Sequence, residues 1–190
     1  MDYPFVNIEA IKRRLVIQQT CVPKGCIYIH EKFVPERVDK LYEYVKVSGP
    51  SAILPSIIVC RHSSRLYMVV DGHHRFEVMK QLGYSNIPVT IIDYMNDSIV
   101  IHPEWKDNSV SVKMDIMAKS FKNEVMSPKS TKHMVVIKGS YIPIKNLSDC
   151  MYMTTNSSLN QRSTSKQLPF FLSLISLNLF AFILYPQRAS

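Results

Sequence analysis

The sequence predicts a compact α/β domain with a mixed sheet and flanking helices, on three observations. Short apolar runs bounded by turn residues read as strands. A proline-started amphipathic stretch reads as a helix. Between residues 68 and 83, "MVVDGHHRFEVMKQLG", an apolar run turns into a helical pattern across a single polar bend.

The elements follow in order. In "VPERVDKLYEYV", Pro35 suits a first helical position, and Val38, Leu41 and Val45 share a face. "LPSIIVCR" and "RLYMVV" are strands split by the turn-like "HSS". "HHRFEVMKQLG" is a helix with Phe76, Met79 and Leu82 inward and Gly83 as its stop. "IPVTIIDY" is a further strand, giving the order helix, strand, strand, helix, strand.

The 190 residues divide by composition: a domain over 1–150, a Ser/Thr/Asn-rich linker over 151–167, and an uncharged hydrophobic run over 168–185. That run has the length of a marginal membrane span, weakened by Ser173, Ser176 and Asn178. A C-terminal membrane tether, a buried helix and a faulty gene model remain three readings of it. The N-terminus carries an acid at position 2 and no apolar run ahead of its basic cluster, so a secretory signal is not expected.

Net charge is +8, of which Arg162, Lys166 and Arg188 supply three beyond residue 150. The mild basicity of the rest suits phosphate ligands without demanding nucleic acid. Cys21, Cys26, Cys60 and Cys150 show no Cys-x-x-Cys pair and read as free thiols of a reducing, cytoplasmic compartment.

Chemistry concentrates at the bend. Gly72 permits a tight turn, and the first turn of the following helix offers unpaired N–H groups and the positive end of the dipole, where phosphate binds. His73, His74 and Arg75 add side-chain donors. Asp71 fits a magnesium ligand or a base for an incoming hydroxyl. The plainer alternative has Asp71 capping the helix, the histidines on the surface, and Arg75 paired with Glu77 or Asp71. Glu31, beside His30 and ahead of the first helix, reads by itself as a solvated acid. "MSPKSTKH" offers Lys129, Ser130, Thr131, Lys132 and His133 as an anion-gripping or merely solvated loop, without a Walker pattern.

Together, "IHEKFVPERVDKL", "LPSIIV", "YMVVDGHHRFEVMKQLGYSNIPVTIIDY", the tryptophan of "IHPEW", and "SPKSTKH" resemble the free L-serine kinases of the ParB/sulfiredoxin-like superfamily, over roughly residues 25–145. The resemblance implies transfer of the terminal phosphate of ADP or ATP to free L-serine, giving O-phosphoserine, with Mg²⁺ as cofactor. It implies Glu31 as the group that activates serine, helped by Asp71. It also implies Gly72, His73, His74 and Arg75 as the phosphate turn, Trp105 in the serine pocket, and nucleotide or phosphate contacts from Lys129, Ser130, Thr131 and His133.

Sulfiredoxins carry a catalytic cysteine at this turn. Here Gly72 is followed by His73, so sulfinic acid reduction is not expected. ParB partition proteins carry a glutamate there and a following helix-turn-helix; neither is read here, and no nucleic-acid partner is expected. A nucleotide-binding module without catalysis is the alternative function.

Overall fold

The computed structural model describes residues 7–101 and 110–152. Trp105, most of the linker and the hydrophobic run at 168–185 lie outside them.

The helix α1 (Ile8–Leu15) starts at Asn7, whose side chain accepts the Ala10 N–H at 3.0 Å. The chain continues through β1 (Val16–Pro23), β2 (Ile27–Tyr28), α2 (Pro35–Ser48), β3 (Ile53–Pro55), β4 (Ile57–Arg61), β5 (Tyr67–Asp71), α3 (His73–Gln81) and β6 (Asn86–Ile92). Next come β7 (Ile99–Ile101), α4 (Val110–Phe121), β8 (His133–Ile137), β9 (Ser140–Pro143) and β10 (Cys150–Tyr152). The mixed sheet has the order β1-β6-β4-β5-β2. Its β2–β5 and β4–β6 pairs are parallel, while β1–β6 and β4–β5 are antiparallel. β7, β8 and β9 form a second sheet, and β10 pairs with β3.

Alternation along the central strands explains why they read as unbroken apolar runs. Ile57 and Val59 of β4, with Tyr67 and Val69 of β5, face α2 and α3, where Val38, Val45, Phe76 and Met79 are buried. The intervening Ile58, Cys60, Met68 and Val70 face the opposite way, onto α1, α4 and the second sheet. A sheet covered on both faces has no polar row, so period two vanishes from its sequence.

The five predicted elements are present. α2 begins at Pro35, and α3 begins at His73 after β5 ends at Asp71. Gly83, at φ +79°, lies just beyond the end of α3. β10 carries the described chain to Tyr152, two residues into the stretch read as linker. Among the described residues no helix is long and apolar enough to cross a membrane.

Candidate functional site

Parallel pairing of β2 with β5 brings their carboxyl ends side by side, Ile27 opposite Tyr67 and Tyr28 opposite Met68. Past the end of β2 come His30 and Glu31. Past the end of β5 come Gly72 and α3. Ligands of mixed α/β folds gather at such strand ends.

Gly72 makes the bend. Its φ of +103° lies in the left-handed region, and a Cβ there would sit 2.9 Å from Arg75 Nη2. Arg75 folds over it, donating to the Pro55 and Ser56 carbonyls at 2.6 and 2.7 Å and to Asp71 Oδ2 at 2.5 Å. Burial pushes Arg75 down from its ordinary pKa, and the Asp71 charge opposes that shift. Asp71 therefore does not cap α3. The N-cap is Gly72, and Arg75 pairs with Asp71 rather than Glu77, which bonds Lys80 instead.

His74 Nε2 accepts the Val34 N–H at 3.0 Å, tying α3 to the start of α2. Burial, then the neighbouring Arg37 charge, lowers its pKa. His73 is not a surface residue either: it is 8% exposed.

Glu31 is 7% exposed, which removes the solvated-acid alternative. Its Oε2 accepts the Lys129 N–H at 3.0 Å. Its Oε1 accepts the Thr131 N–H, the Thr131 hydroxyl, and the Ser130 hydroxyl at 3.4 Å. The loop 126–131 is stitched alongside, with Met126 N–H on His30 O at 2.8 Å and Lys32 N–H on Met126 O at 2.9 Å. Lys129 adopts φ +59°, a turn that points its amide at the carboxylate. In this conformation the Lys129 and Thr131 amides and the Ser130 and Thr131 hydroxyls are turned to Glu31.

Behind Glu31 runs a buried row of rings. His30 packs edge-on to His73 at 4.6 Å and to His133 at 5.4 Å between centroids. His133 Nε2 accepts the Tyr94 hydroxyl at 2.8 Å. Burial, then mutual repulsion among the histidines, holds His73 and His133 well below the ordinary imidazole range. Lys113, 2% exposed, donates to Asn96 O at 2.9 Å and lies over the Tyr94 ring.

Two clefts meet at Asp71 and Lys145. One, of about 310 Å³, is lined by Glu31, Asp71, His73, Thr131, Lys132, His133 and Lys145 among others. The other, of about 530 Å³, is lined by Asp71, Gly72, His74, Arg75, Lys145, Asn146, Ser148 and Cys150, closed by Pro55. Ser148 Oγ is buried there, with no hydrogen-bond partner among the described residues. The predicted residues thus converge, except Lys129 and Ser130, which act on Glu31 from behind, and Trp105, outside the described residues. Sequence reasoning missed Lys145 and Ser148. They sit in and just after a short 3₁₀ turn, Ile144–Leu147, where a single lysine carries no motif. It also gave His30 no role.

Residues 16–103 match the family model described as the ParB N-terminal domain. The fold matches a solved free serine kinase variant in complex with AMP, with TM-score 0.50 and 15% identity over 67% of this chain and 92% of that one.

More particularly, the chain resembles the L-serine kinases. It is 39% identical over 70 residues to an ATP-dependent L-serine kinase of Staphylothermus marinus, covering 37% of this chain and 27% of that protein. It is 26% identical over 102 residues to the ADP-dependent L-serine kinase SerK of Thermococcus kodakarensis, covering 54% of this chain and 35% of that protein. The chain therefore spans about a third of the length of these relatives.

Proposed function

We propose that this protein transfers the terminal phosphate of ADP or ATP to the hydroxyl of free L-serine. The observation that carries the reading is the meeting of a buried carboxylate, Glu31, with the Asp71–Gly72–α3 turn across one cleft. The names of the relatives supply the substrate class.

The larger cleft suits the nucleotide. Its volume of about 530 Å³ is within the range of small-ligand sites, and the unpartnered Ser148 hydroxyl at its wall is a ready contact. The terminal phosphates would lie over the first turn of α3, near Lys145, where the helix N-terminus and a cation share their charge. Serine would enter the smaller cleft with its hydroxyl toward Glu31. Glu31 takes the hydroxyl proton as the oxygen attacks phosphorus, and the bond to the departing nucleotide breaks in line. Trp105 is proposed to shape the serine pocket on the resemblance alone.

Among the described residues no three acid, histidine or cysteine side chains converge on a metal site. Mg²⁺ is typically held by one or two carboxylates plus substrate phosphates, and Asp71 at the junction of the clefts suits that arrangement. Bound there, the ion would neutralise charge on the phosphates. The reactants, a nucleotide and a free amino acid, place the proposed activity in the cytoplasm.

A nucleotide-binding module without phosphoryl transfer is the second reading, favoured by the short span of the kinases that is matched. Incubating the full chain with L-serine, Mg²⁺ and ADP or ATP separates the two. O-phosphoserine supports the kinase; nucleotide binding with no product supports the module.

A further inference from the structure

Behind Glu31, three contacts run in series. His30 Nδ1 lies 2.7 Å from the Val69 carbonyl, His30 Nε2 lies 2.7 Å from Thr131 Oγ1, and Thr131 Oγ1 bonds Glu31 Oε1. His30 Nδ1 also lies 3.3 Å from His73 Nε2, so both ring nitrogens are engaged. Glu31 as a carboxylate only accepts, so the Thr131 hydroxyl donates to it.

Thr131 presents both its N–H and its hydroxyl to Glu31 Oε1, and His30 holds the Thr131 oxygen from the other side. His30 cannot touch a substrate, since it is 0% exposed. Its hydrogen-bonded path to the carboxylate runs through Thr131.

We propose that Thr131 and His30 are positioning residues for Glu31, joined to it in a hydrogen-bonded chain. The chain fixes the plane of the carboxylate where it lines the cleft. This rests on the reading of Glu31 as the base. It reassigns Thr131, whose resemblance-derived role is phosphate contact. The step it serves is balanced: serine loses its hydroxyl proton to Glu31, the serine oxygen–phosphorus bond forms, and the bond to the departing nucleotide breaks. No net proton reaches His30.

The test compares wild type, Thr131→Val, Thr131→Ser and Glu31→Gln as full chains, with melting curves to confirm folding. Valine keeps the shape and removes the hydroxyl. A displaced base lowers kcat steeply, so Thr131→Val is expected to lose at least about tenfold in kcat while KM for nucleotide and for serine stays within about twofold. Thr131→Ser recovers most of the rate.

An unchanged kcat in Thr131→Val, with Glu31→Gln inactive, overturns the proposal while the base reading stands. A raised nucleotide KM with kcat intact also overturns it, making Thr131 a nucleotide ligand. Wild-type activity in Glu31→Gln removes the base reading itself, and with it the role assigned to Thr131 and His30.

Discussion

Arg75 closes over Gly72 to reach Asp71 at 2.5 Å, and its other terminal nitrogen holds the Pro55 and Ser56 carbonyls. One guanidinium thus ties the β3–β4 junction, the end of β5 and the first turn of α3 together. The bend that looks like a string of ligands in the sequence is also a structural clasp.

Gly72→Ala is expected to damage both roles. The left-handed φ and the 2.9 Å approach to Arg75 Nη2 make any Cβ strained. A loss of about 1–3 kcal/mol in urea denaturation is expected, the range for a strained backbone residue. Wild-type stability in this variant contradicts the clasp.

Arg75→Lys is expected not to rescue Arg75→Ala in stability, because a point charge cannot serve two carbonyls and a carboxylate. Each is expected to cost about 1–3 kcal/mol, the penalty of leaving polar groups at a partly buried site unpaired. Arg75→Ala and His74→Ala are both expected to lose the preference for ADP over AMP in calorimetry. An unchanged preference in both removes these residues from the phosphate site.

Glu31→Gln is expected to lower kcat by about 10²–10⁴-fold, the usual contribution of a positioned base, with nucleotide affinity little changed. A purified variant with more than about half the wild-type rate gives Glu31 no such role.

Stability should fall in mild acid. Burial holds His133 well below the ordinary imidazole range in the folded state, while the unfolded chain titrates near about 6.5. The unfolded state then binds more protons below that pH. The His133 contribution is complete above about pH 6.5 and is lost as pH falls toward the folded value. Melting temperatures from pH 8 to pH 5 measure it, and His133→Gln is expected to flatten the slope.

Residues 168–185 are expected to carry the full chain into the membrane fraction. The run is uncharged and close to the ~17-residue lower limit for a span, with Arg162 and Lys166 on its N-terminal side. Recovery of the full chain in the high-speed supernatant removes the tether and leaves the buried-helix and gene-model readings.

The sequence by itself determined the local elements and the bend. Pro35 starts a helix because its ring sets φ, and Gly72 turns the chain because only glycine takes φ +103° without cost. These are properties of single residues, legible without partners. β1 escaped notice because this edge strand, with its Gln-Gln-Thr, is mostly exposed and shows no clean period. β10 is only three residues long, held by β3.

Only the tertiary structure decided what the polar groups do. Whether Glu31 is solvated or buried depends on a loop about 100 residues away, and whether Arg75 meets phosphate or protein depends on two carbonyls before β4. Parallel pairing of β2 with β5 sets His30 beside Val69, and β8 brings Thr131 and His133 to the same place. A hydrogen bond is specified by both of its ends, and here the two ends are distant in sequence.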